Sequence, residues 1–99
     1  MQKDRFREWL EPQRTKRAAS DCISRCKKVE LALNVDLDEE YKRDKGRYVL
    51  LALSYGKKEK DTGVMASDKF HFQEGCNVVQ RFTDLRASVK KYFAFCENQ

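Results

Sequence analysis

From Ala19 to Leu33 the apolar side chains Ala19, Cys22, Cys26, Val29 and Leu33 return at spacings of 3, 4, 3 and 4. That is the period of one face of an α-helix, held over four turns, with Arg17, Ser20, Ser24, Lys27 and Lys28 lying mostly away from it. A strand cannot use such a pattern, because its faces alternate at every second residue. The only proline stands at position 12 and there are four glycines, so few breakers interrupt the rest of the chain. Phe6, Trp9 and Leu10 fall at i, i+3 and i+4 and form a shorter stripe that stops before Pro12. Thr15 is placed to cap the helix that carries the long seam.

The remaining segments obey the same logic with weaker signals. NVDLDEEY, residues 34–41, reads as a short helical turn or loop whose acids could cap the next element. Asp44 is a candidate N-cap for a third helix running through YVLLALSY and ended by Gly56. A buried strand at YVLLAL would need a partner of similar β character, and none exists. Residues 57–75 are polar and glycine-punctuated, which predicts a long loop with a short extended piece around Phe70-His71-Phe72. The last helix is expected over Asn77–Cys96, with Val79, Phe82, Leu85, Val89, Tyr92 or Phe93, and Cys96 on its apolar face. The fold expected is all-α: a single domain over residues 1–99, a compact bundle of four or five helices without repeats.

Ninety-nine residues with 40% apolar and 37% charged side chains suit one small globular domain. No run approaches the roughly 18 apolar residues of a membrane span, and MQKDRFREWL has no apolar core of a secretory signal, so the expected location is the cytoplasm. The net charge is +5. Its distribution is uneven: nine Lys/Arg against five Asp/Glu in residues 1–30, four against five in 31–48, four against four in 49–75, and four against two in 76–99. A surplus at the two ends suits a phosphate backbone or an acidic partner as well as a solvated surface.

Chemistry-bearing residues are sparse. Cys22 and Cys26 lie on the seam and Cys96 closes another, which is where a free thiol behaves as a small hydrophobe. Cys22, Cys26, His71 and Cys76 nominally make a Cys₃His set, but C-x₃-C within a helix is not a zinc knuckle, and no metal or other cofactor is expected. A disulfide between Cys22 and Cys26 would close almost no loop. The chain has one histidine, no glycine-rich phosphate cradle and no recognisable nucleophile setting, so it is not expected to be an enzyme. The acids Asp36, Asp38, Glu39 and Glu40 suit a helix cap better than a metal cluster.

The cations carry the strongest functional signal. Arg14, Lys16 and Arg17 cluster at a helix start beside Thr15, and Arg25, Lys27 and Lys28 continue along the polar side. Backbone N–H groups at a helix start bind phosphate, and flanking Arg and Lys strengthen that attraction. Arg86 and Lys90, one turn apart near the C-terminus, add two more, with Lys91 beside them. Arg14, Thr15, Lys16, Arg17, Arg25, Lys28, Arg86 and Lys90 are therefore the candidate nucleic-acid contacts, and double-stranded DNA the expected partner. The alternative is a protein-interaction module: a dimerisation or docking domain, or a small phage-encoded inhibitor. Its expected sign is an exposed apolar patch at Phe70/Phe72 or at Tyr92/Phe93/Phe95.

Three segments also carry a resemblance. FREWL, then TKRAASDCISRCKKVE with LDEEY, then DLRASVKKYFAFCEN are similar to the SAM-like helical core-binding module of tyrosine recombinases and phage integrases. The shared features are a Trp-Leu opening, a T-x-x-x-x-S start to the second helix (Thr15, Ser20) and a closing helix with Tyr92 and Phe95 as Y-x-x-F. Related modules precede nucleases or NTPases in bacterial restriction and defence proteins. The resemblance implies a module that clamps DNA while a separate domain does the chemistry, with Thr15, Lys16 and Arg17 where the second helix approaches the duplex, and Arg25 and Lys28 extending that approach. Cys22 stands where the related module often has Tyr. The recombinase catalytic domain is absent from these residues, which fits an excised domain of a larger protein.

Overall fold

The computed structural model describes residues 1–63, 69, 70, 72, 75 and 77–98. Six helices appear among them: α1 Lys3–Leu10, α2 Lys16–Leu33, α3 Leu37–Asp44, α4 Arg47–Ala52, α5 Lys57–Asp61 and α6 Val78–Glu97. None of the described residues is in a strand, so the fold is all-α, as the 3–4 spacing requires.

The two long helices, α2 and α6, make the most extensive contact, and α1 and α3 each pack on α6 as well. Ala19, Cys22, Cys26, Val29 and Leu33 are all buried, together with Ile23. On α6 the buried set is Phe82, Leu85, Ser88, Val89, Tyr92, Phe93 and Phe95, while Val79 and Cys96 are only half-buried. Tyr92 and Phe93 are both inside because α6 is wrapped on two sides, by α1 and by α3 with α4. Phe6 meets Tyr92 edge-on at 4.9 Å and Phe95 at 5.5 Å. Such aromatic pairs contribute about 0.5–1.5 kcal/mol each beyond their burial. Phe70 and Phe72 do the same at the other end, each 5.4 Å from Phe82. Neither aromatic group expected as an exposed patch is open: Phe70, Tyr92, Phe93 and Phe95 are buried and Phe72 is half-buried.

Side-chain caps start three helices. Thr15 Oγ1 accepts from the Ala18 N–H at 3.1 Å, Asp36 Oδ1 from Asp38 N–H at 2.9 Å, and Asn77 Oδ1 from Gln80 N–H at 3.1 Å. Residues 37–44 are thus a helix rather than a turn: Asp36 caps it, three acids fill its first turn, and Leu37 is buried. Asp44 ends that helix, and Gly46, not Asp44, is the N-cap of α4. The Asp44 carboxylate still accepts from the N–H groups of Gly46 and Tyr48. Helix α4 closes at Ala52, short of Tyr55, and Gly56 starts α5 instead of ending α4. Segment 57–75 is therefore not all loop. Its residues 64–68, 71, 73 and 74, with the extended piece expected around His71, lie outside the described residues.

Two tight points lock the frame. Gly46 has φ +80°, and a Cβ there would fall 2.1–2.7 Å from ring atoms of Phe93. The α-ammonium of Met1 lies 3.3 Å from Glu30, 3.2 Å from Asp36 and 3.5 Å from Asp38. Next to it, Gln2 N–H donates to the Tyr92 hydroxyl at 2.8 Å, and that hydroxyl donates to Asp38. Burial alone would lower the ammonium's pKa; the Asp36 hydrogen bond and the three carboxylate charges outweigh it and raise the value above 8.0.

Candidate nucleic-acid interface

The predicted contact residues fall into four groups. Arg14 and Arg25 come together across a small depression of ≈ 170 Å³ between α2 and α6, joined there by Lys91 and by two acids, Asp21 and Asp84. Arg86 and Lys90 line a larger depression of ≈ 910 Å³ with Lys42, Arg43, Lys45 and Arg47 of the α3–α4 corner. Lys28 sits apart, its ammonium 4.7 Å from the centre of the Phe72 ring. Lys16 and Arg17 are exposed on the first turn of α2 and line neither depression. Thr15 uses its oxygen lone pair on Ala18 N–H, which leaves the hydroxyl proton to donate outward.

Helix α6 joins the first two groups. Gln80, Thr83, Ala87, Lys90, Ala94 and Glu97 are exposed at helical spacing, so they form one outward strip. Arg86 and Lys91 are half-buried on either side of it. The strip's small residues Ala87 and Ala94 therefore have cations on both sides, Arg86 with the strip's own Lys90 on one and Lys91 with Arg14 and Arg25 on the other. Among the described residues no acid lies within ion-pair distance of Arg14, Lys16, Arg17, Arg25, Lys28, Arg86 or Lys90; the pairs found are Lys42–Glu39, Arg43–Glu40 and the three at the Met1 ammonium. Asp84 beside Arg25 instead accepts from the Gln80 amide at 2.9 Å.

The thiols lie beneath this face. Cys22 and Cys26 both donate to the carbonyl oxygen of Ser88, at 3.7 and 3.3 Å. The neighbouring Cys26 thiol and the charges of Arg14 and Arg25 hold Cys22 below the usual thiol range, against its burial, whereas Cys26 is pushed up by Cys22 and by burial. Among the described residues no group of three His, Cys, Asp or Glu side chains could hold a metal ion; His71 and Cys76 lie outside the described residues. No described helix is long and apolar enough to cross a membrane.

Sequence reasoning missed Lys42, Arg43, Lys45 and Arg47. A charge tally over residues 31–48 balances them against five acids, but Asp36 and Asp38 are turned to the Met1 ammonium and Asp44 to backbone N–H groups. The run KRDKGR was the available signal. In comparisons with protein-family models, curated proteins and solved structures, the chain matches none.

Proposed function

We propose that the protein is a non-catalytic helical module that binds double-stranded DNA through the outer face of α6 and its two cationic margins, and so positions a partner or an attached effector domain. The observation that carries this reading is the pairing state of Arg14, Arg25, Arg86 and Lys90: they flank one exposed helical strip and none of them is in an ion pair among the described residues, although Asp21 and Asp84 line the depression of Arg14 and Arg25. Ala87 and Ala94 in the middle of the strip let a phosphate backbone approach closely while the margins supply charge, which gives affinity with little sequence reading. Lys16 and Arg17 extend the same field from the start of α2. The likeness to the core-binding module of tyrosine recombinases supports the same role and belongs to the same proposal.

The test is fluorescence anisotropy with labelled duplexes of about 12 base pairs, matched to the 40 Å long axis at ~3.4 Å per pair. Five engaged cations give log Kd a slope of about 4–5 against log salt, with Kd of about 10⁻⁶ to 10⁻⁴ M. Ala87→Glu, at an exposed site, should abolish binding without unfolding the chain. Reversing Lys16 and Arg17 should weaken every sequence alike. A flat salt response, or full binding by the Ala87 variant, rejects the reading.

A further inference from the structure

We propose that the groove between the α3–α4 corner and α6 is a docking site for an acidic, leucine-bearing segment of a protein partner. Six cations line it: Lys42, Arg43, Lys45, Arg47, Arg86 and Lys90. Lys42 and Arg43 are held by Glu39 and Glu40 on their own helix, which leaves four with no ion pair among the described residues. The one acid in the lining, Asp44, is committed to the N–H groups of Gly46 and Tyr48. The groove therefore asks for negative charge.

Its apolar part decides what kind. Leu51 is 67% exposed on the groove wall and Leu50 is half-buried beside it. A phosphate backbone has nothing to place on two leucines. A short amphipathic helix does: leucines at i and i+4 cover Leu50 and Leu51, and carboxylates on the flanking turns meet Lys45, Arg47, Arg86 and Lys90. The volume of ≈ 910 Å³ is of the size that takes a few side chains. Charge complementarity selects the acid, and the exposed leucine selects peptide over nucleic acid. Docking does not rest on the duplex reading, although Arg86 and Lys90 belong to both; where both hold, the segment and the duplex exclude each other.

The probe is a fluorescein-labelled glutamate-rich helical peptide with leucines at i and i+4, titrated by anisotropy against the whole chain without DNA. Saturable binding is expected, weakened roughly tenfold for each peptide leucine that becomes serine, the scale of one apolar side chain's burial. Leu51→Ser in the protein should cost the peptide a similar factor, leave duplex affinity unchanged and leave the melting temperature in place. Arg47→Glu should weaken the peptide further. Equal binding of the leucine-free peptide overturns the proposal, as does indifference of the peptide to Leu51→Ser. So does a result in which only the duplex responds to Arg47→Glu. Peptide binding with no duplex binding keeps this site and removes the duplex reading.

Discussion

Gly46 is where a single atom decides most. Its left-handed φ costs an L side chain about 1–2 kcal/mol, and its missing Cβ is the space the Phe93 ring occupies. Adding overpacking of about 1–3 kcal/mol, Gly46→Ala should destabilise the chain by about 2–5 kcal/mol in urea unfolding, and Phe93→Leu in the same chain should recover part of the loss. The Met1 ammonium makes a different kind of prediction. Its pKa is raised on folding, so its contribution is complete below pH 8 and fades as pH climbs through the raised value. Asp36 moves the other way: burial pushes its carboxyl up, but the Asp38 N–H and the ammonium lower it overall. Its contribution is complete above about pH 4 and fades as pH falls through the lowered value. Melting temperature should therefore plateau between these limits, and acetylation of the amine should erase the alkaline decline. An unchanged decline in the acetylated chain would detach the ammonium from stability.

At the scale of elements, the long helices were legible and the short ones were not. Helices α2 and α6 bury one continuous stripe each, so period alone finds them, and Thr15 caps as its chemistry suggests. Helix α3 hides because its first turn is acidic and only Leu37 and Glu40 are buried, and α5 because none of its residues is buried. Asp44 misled because it caps α4 from two residues before Gly46. The candidate contacts were legible as residues but not as a grouping: which side of α6 Arg86 and Lys91 take depends on the packing of α3, α4 and α2. The α2–α6 seam also ranks its thiols. Cys22 borders the depression of Arg14 and Arg25, Cys26 is fully buried, and Cys96 is pushed up to about 11 by burial and Asp38. Iodoacetamide followed by peptide mass mapping should modify Cys26, which has no exposed surface, last of these three in the native state. Faster labelling of Cys26 would mean the seam is not packed as described.

Taken as a whole, the molecule measures 40 × 30 × 20 Å and places cations on opposite flanks of one helix. That arrangement lets a net charge of only +5 act locally like a much stronger field. The same economy of scale shapes how the chain comes together. Gln2 bonds to Tyr92 across ninety positions, and Phe6 rests on rings that belong to the last helix. During synthesis the opening segment consequently has no finished surface to settle on until the final helix emerges. A ribosome stalled before Tyr92 would display Phe6, Cys26 and Val29 uncovered, so nascent chains arrested there should recruit chaperones that full-length chains no longer hold.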